Sequence, residues 1–294
     1  MNAQSLIIYQ SPALVKPYLV MGFEGWPDAG KVSSGVIGYL RDKLEAEKLA
    51  EVRPDDFYVF QSLGVEAKRP TTDIEDGLVS KLSLPSTTFW FYKKEKSPHD
   101  LIISLGKEPE LRWNEYADLV LGLAQDFGVE TIYPIGGTYD SVPHTIEPIV
   151  TAVLSLPSLK AEVNKYGISL TDYAGPSSIH TLLLVLARKR GIGVISLWGH
   201  APHYIQVPNT KVCYAIITKL TKMLGISLDL EDIKRASEYL DEKVSAALDQ
   251  KVELRDYVRR LEEEYGKGRY RVSEPLKEDI IKEIEDFLKG REKE

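Results

Sequence analysis

Short β-rich apolar runs alternate with helical segments from the first residues to about residue 225, and this alternation constrains the fold more than any other feature of the chain. The runs at Ser5–Tyr9, Tyr18–Phe23, Phe57–Gln61, Thr87–Tyr92, Asp100–Leu105, Glu130–Ile135, Gly167–Thr171 and Gly193–Trp198 have the length and β-branched or aromatic content of strands. Between them Val32, Val36, Leu40 and Leu44 form one apolar stripe at four-residue spacing. Tyr116, Leu119, Val120, Leu123 and Phe127 form another. Ile179–Ala187 is apolar nearly all round, the pattern of a helix buried on several sides. Strands that alternate with helices build a three-layer α/β/α architecture, a mostly parallel mixed sheet covered on both faces.

Beyond residue 228 the texture changes. Residues 229–294 carry 20 acidic and 15 basic side chains, five of the seven excess negative charges of the whole chain. Apolar residues still recur at helical spacing: Leu240, Val244, Ala247; Leu254, Val258, Leu261, Tyr265; Leu276, Ile280, Ile284, Leu288. Gly266, Gly268 and Pro275 punctuate the last two segments, with Pro275 where a helix can begin. The chain thus reads as a core over 1–228 and a charged helical extension over 229–294, whose stripes need a partner surface.

A formal charge of −7 does not supply the basic face that a large nucleic-acid footprint requires. Cys213 is the single cysteine, so no intrachain disulfide forms and nothing points to an oxidising compartment. The first residues lack the pattern of a signal peptide. The longest strongly apolar run, Leu182–Ala187, is far short of the roughly 20 residues that span a bilayer. The expectation is a cytoplasmic protein that engages neither membrane nor nucleic acid.

Four loops carry the residues with chemical potential. Gly22-Phe23-Glu24-Gly25-Trp26-Pro27-Asp28-Ala29-Gly30-Lys31 joins a strand to a helix, where phosphate loops sit. Gly25 to Lys31 satisfies G-x-x-x-x-G-K, but Val32 stands where Ser or Thr would hold magnesium. Pro27 also removes an amide and Asp28 adds a repelling carboxylate. A tight turn with Asp28 capping the helix is the plainer reading, and Trp26 is either an anchor for the loop or an exposed interface residue. Gly136-Gly137 lets backbone approach a ligand or another loop, and Asp140 and His144 that follow could form an acid–base pair or a structured turn. Ser177 or Ser178 suits a helix N-cap whose amides could hold an anion. A nucleophilic serine would need a histidine in reach, and the flanking sequence is not the G-x-S-x-G elbow. His200 and His203, three apart, could chelate zinc only with further ligands, and neither H-E-x-x-H nor a cysteine pair is present; ordering a loop is the plainer role. No metal or other cofactor is expected.

Taken together and in this order, Gly22 to Gly30, Gly136-Gly137 through Asp140, Pro143 and His144, Gly175-Pro176-Ser177-Ser178, and Trp198-Gly199-His200-Ala201-Pro202-His203-Tyr204 resemble the proteasome assembly chaperone 2 family. The resemblance spans Gly22 to Tyr204. It implies a fold similar to that of the nucleoside phosphorylases without an established active site, homo-oligomers (trimer or higher) or hetero-oligomers, and for some members a protein client, the proteasome α-ring. Members that engage the proteasome directly tend to end in a hydrophobic residue, Tyr and one more residue. This chain ends in Gly290-Arg291-Glu292-Lys293-Glu294, so that docking tail is not expected here. The leading expectation is a non-enzymatic binding or chaperone protein that assists assembly of the proteasome or another complex. The rivals are a phosphorylase- or hydrolase-type enzyme using Ser177, His144 and His200, and an ATP-dependent ligase.

Overall fold

The computed structural model describes residues 5–60, 70–93, 98–266 and 276–290. In chain order the elements are β1 (Leu6–Ile8), β2 (Tyr18–Glu24), α1 (Val32–Lys43), β3 (Glu47–Val52), β4 (Thr71–Glu75), β5 (Leu78–Ser83), β6 (Thr87–Tyr92), β7 (Leu101–Lys107), α2 (Trp113–Asp126), β8 (Thr131–Asp140), β9 (Val150–Leu154), α3 (Lys160–Lys165), β10 (Ser169–Leu170), α4 (Ile179–Lys189), β11 (Gly193–Pro202), α5 (Thr210–Met223), α6 (Glu231–Gln250), α7 (Val252–Gly266) and α8 (Glu278–Leu288).

Nine strands form one mixed sheet in the order β1-β3-β6-β7-β2-β8-β11-β9-β10. Its centre, β7-β2-β8-β11, is parallel, and antiparallel pairings lie toward both flanks. The α/β/α layering follows from alternation within the strands. Val20, Ile103, Ile135, Leu197 and Ala201 face α1 and α5 in one core. Leu19, Met21, Phe23, Ile102 and Ile132 face α2 and α4 in another. Central strands buried on both faces explain the nearly continuous apolar runs. A third cluster joins α6, α7 and α8 to Tyr204, Ile205 and Val207, which follow β11. Among the described residues no helix is long and apolar enough to cross a membrane.

The fold corrects several expectations from sequence. Phe57–Phe60 is not a strand: the amides of Phe57 and Tyr58 return to Pro54 O in a turn, and both rings are buried; Gln61 lies outside the described residues. The strand of that region is β3, whose Glu47-Lys48-Leu49-Ala50-Glu51-Val52 reads locally as charged helix and becomes strand by antiparallel pairing with β1 and β6. Strand β9 and the β4–β5 hairpin were not anticipated. The hairpin has a signal, Asp76-Gly77, whose two residues both take the left-handed conformation (φ 49° and 77°) that a two-residue turn demands. Helix α4 is not buried all round. Ile179, His180, Leu183, Leu184 and Ala187 face the core, and Val185 on the outer side is exposed. Gly268, Pro275 and Arg291–Glu294 lie outside the described residues.

Candidate functional site

Parallel strands β2, β8 and β11 end together, so the loops that follow them meet at one edge of the sheet, where clefts form in open α/β folds. Ser33, the second residue of α1, fastens the first loop there: its hydroxyl donates to Ile135 O (2.6 Å) and accepts from Phe23 N (2.9 Å). Asp28 is 5% exposed. Its carboxylate accepts from Ser34 N (2.9 Å) and Ser34 Oγ (2.7 Å) and lies 3.5 Å from Lys31 Nζ. Burial raises the pKa of Asp28, against the lowering effects of Ser34 and Lys31. A phosphate loop would direct these amides and this lysine at a ligand. Here both turn inward to the loop's own carboxylate.

The second helix N-terminus at this edge is filled in the same way. Ser178 is the N-cap of α4, accepting from His180 N (3.3 Å). The amide of Ile179 donates to Glu108 Oε1 (2.9 Å), a carboxylate 7% exposed and carried on the segment after β7. Glu24 enters through its backbone, its carbonyl accepting from Glu108 N (2.9 Å). Ser177 is exposed and, among the described residues, makes no hydrogen bond to a histidine. At the third terminus, Asn209 Oδ1 accepts from Val212 N to cap α5 (3.0 Å).

The paired glycines let chain approach chain. A Cβ on Gly136 would lie 2.7 Å from the Trp198 ring, and one on Gly137 would lie 2.3 Å from Ala29 O. Gly137 N donates to Pro27 O (2.8 Å), locking the first loop against β8. Trp26, 53% exposed, stacks edge-on with Trp198 at 6.4 Å.

At the far end of β8, Asp140 Oδ2 lies 2.8 Å from His200 Nδ1, and His200 Nε2 lies 3.0 Å from Thr151 Oγ1. Burial works against the charged form of Asp140, but hydrogen bonds from His200 and Ser141 N and the nearby imidazoles hold its pKa below the ordinary value. The Asp140 carboxylate thus faces one ring nitrogen of His200 and the Thr151 hydroxyl faces the other. This carboxylate–imidazole–hydroxyl chain ties together the ends of β8, β11 and β9. His203 binds the Asp140 carbonyl through its amide (3.1 Å) and reaches Tyr257 of α7 through Nε2 (3.1 Å). Burial lowers its pKa. His144 sits in the same loop cluster, its Nδ1 2.8 Å from the Tyr204 hydroxyl, and burial brings its pKa down to about 4. His144 and His200 share a cavity of about 20 Å³, room for about one water and not for a metabolite. Among the described residues no group of three or more His, Cys, Asp or Glu side chains is placed to hold a metal ion.

Of the nine residues singled out from sequence, Glu24 and Asp140 are the last residues of β2 and β8 and His200 lies within β11, while Trp26, Asp28, His144, Ser177, Ser178 and His203 lie in segments that follow strands. Asp140, His200 and His203 are joined in one network, Asp28 and Ser178 hold helix N-termini, and Ser177 is joined to neither His144 nor His200. Sequence reading passed over Glu108, Thr151 and Tyr257, all ordinary residues within strand- or helix-like text. Only Glu108, directly after a strand, carries a positional hint.

Residues 22–248 match the model of the PAC2 family. A PAC2 family protein from Streptomyces avermitilis superposes with a TM-score of 0.74 at 29% identity, covering 82% of this chain and 99% of that one. A proteasome-assembly chaperone homologue from Mycobacterium tuberculosis gives 0.73 at 25% identity, covering 82% and 99%. PbaB from Pyrococcus furiosus, an archaeal proteasome activator, shares the fold with a TM-score of 0.64 at 22% identity, covering 82% and 97%. A search of curated proteins finds no match.

Proposed function

This chain belongs to the PAC2 family, and from that premise we propose that it is a non-enzymatic, homo-oligomeric assembly protein of the cytoplasm. Its client on this reading is a protein subunit, and the relatives described as a proteasome-assembly chaperone homologue and a proteasome activator make a proteasome subunit the first to test. We take residues 1–228 as the unit that meets partners and 229–294 as an extension that braces it.

The observation that carries the reading is the β4–β5 hairpin. Ile74, Leu78, Val79 and Leu82 are each between 62 and 74% exposed. A two-stranded hairpin is marginal in water by itself, and large exposed apolar patches mark interaction surfaces. The strand-end edge supports the same reading, because its helix N-termini are occupied by Asp28 and Glu108 and its histidines enclose a water-sized space.

Size-exclusion chromatography with light scattering tests this. The full chain is expected to run as a homo-oligomer, and Leu78→Lys with Leu82→Lys to release smaller species without lowering Tm. An unchanged oligomer in that variant removes the hairpin from the interface. Pull-down from the native cell then identifies the client. Thermal shifts against nucleotides, phosphate and divalent metals are expected to be flat; a rise following RT ln(1 + [L]/Kd) for any of them would favour a small-molecule site.

A further inference from the structure

Beside the His144–His200 cavity, and sharing Ile146, Pro148 and Lys211 with it, a second concavity has a chemistry unlike the rest of this acidic protein. A cleft of about 510 Å³ lies between α5, the end of α3 and the segment 145–148, within the size range of ligand sites. Lys165, Lys211, Lys219 and Lys222 all line it, against one lining carboxylate, Glu147. Two of these lysines are internally paired, Lys165 with Glu162 (2.9 Å) and Lys211 with Asp241 (2.7 Å). Lys219 donates to the backbone carbonyl of Tyr166 (3.3 Å), and among the described residues neither Lys219 nor Lys222 has a carboxylate partner. Tyr166 and Tyr214 add aromatic surface, and the Thr218 hydroxyl is buried there without a hydrogen-bond partner.

We propose that this cleft binds an acidic peptide segment of a partner protein in extended conformation. Spacing selects a peptide over a compact anion. Lys211 and Lys222 are eleven residues apart on one helix, about 16 Å at 1.5 Å per residue. An extended peptide of about five residues spans that length, whereas a single phosphate or carboxylate meets one end of it. Lysines are point charges without the fork of arginine, suited to carboxylates spread along a chain. At the nearby helix N-terminus, that of α5, the amide of Val212 is already taken by Asn209 Oδ1 and that of Cys213 by the Asn209 carbonyl, which leaves fewer amides for a phosphate. The ordinary alternative is that Lys165 and Lys222 only offset the C-terminal dipoles of α3 and α5. That accounts for Lys219 too, whose ammonium donates to the carbonyl of Tyr166 at the end of α3, but not for the concavity or the buried Thr218 hydroxyl. The cleft borders the strand-end loops through Lys211, which donates to His144 O (2.6 Å), but includes no residue of the hairpin, so the cleft and the hairpin interface can each fail without the other.

Fluorescence anisotropy with the full chain and a fluorescein-labelled peptide of alternating glutamate and tyrosine tests the proposal. Saturable binding is expected, weakening steeply with added salt as the Debye length contracts. Lys219→Glu with Lys222→Glu is expected to lower affinity by about tenfold or more at unchanged Tm. Lys282→Glu on α8 is expected to leave affinity unchanged. The proposal is overturned if the peptide does not bind, if the double variant binds it equally, or if a glutamine–tyrosine peptide of equal length binds as well. Complete displacement by equimolar inorganic phosphate would overturn it in favour of a small-anion site.

Discussion

Glu108 and Ile179 are 71 residues apart in sequence and 2.9 Å apart in the fold, the carboxylate accepting the first amide of α4. A helix N-terminus is a ready anion site, and this one is filled from within. Replacing Glu108 with Ala is expected to cost about 1–3 kcal/mol, the range for leaving a buried donor unpaired, and to open the site. Sulfate or phosphate should then raise the Tm of the variant more than that of the parent protein. Equal anion responses would mean that Glu108 does not guard the terminus.

Acid should destabilise the protein through its buried histidines. The folded-state pKa of His144 is lowered from 6.5 to about 4 and that of His180 to about 3, both by burial, and that of His203 is also lowered. The unfolded chain thus takes up protons below pH 6.5 that the folded chain refuses. The stability contributed by neutral His144 is complete above pH 6.5 and is lost as pH falls toward 4, about 2–3 kcal/mol by pH 4.5. Urea unfolding at pH 7 and 4.5 measures it. In His144→Gln the difference between the two pH values should shrink by that amount.

Two glycines should respond to alanine with opposite signs. At Gly137 the new methyl would meet the Ala29 carbonyl at 2.3 Å, and backbone cannot step aside cheaply. A loss of about 1–3 kcal/mol is expected. At Gly38, inside α1, nothing lies within 4 Å, and alanine should stabilise by about 0.5–1 kcal/mol. Thermal denaturation of the two variants checks both signs, and a stable Gly137→Ala would contradict the close packing of the first loop on β8.

The C-terminal helices should prove integral. Tyr204, Ile205 and Val207 are buried against α6, α7 and α8, and Tyr257 is 1% exposed while its hydroxyl lies 3.1 Å from His203 Nε2. Truncation after Gly225 is expected to expose this apolar surface and produce aggregation or lost oligomers on a sizing column. Tyr257→Phe, which keeps the packing, should cost only about 1 kcal/mol. A truncated protein with unchanged oligomeric state and Tm would show the extension to be dispensable.

Periodicity in the sequence was enough to find the buried central strands, the stripe of α1 and the apolar faces of α7 and α8, because side-chain direction in a helix or strand repeats at a fixed local interval. Cap chemistry was legible for the same reason: Ser178 bonds an amide two residues away. The sequence did not reveal that Glu47–Val52 is a strand, since its propensity is helical and only pairing with β1 and β6 decides otherwise. Nor did it join Asp140 to His200 and Thr151, or aim Glu108 at α4. Each of these depends on which strand ends lie side by side, and strand order in a sheet is set by non-local contacts that leave no periodic trace in the residues themselves. The lysines of α5 make the same point from the surface. Their spacing along one helix is written in the chain, but only the packing of α3 and the 145–148 segment beside them makes a cleft.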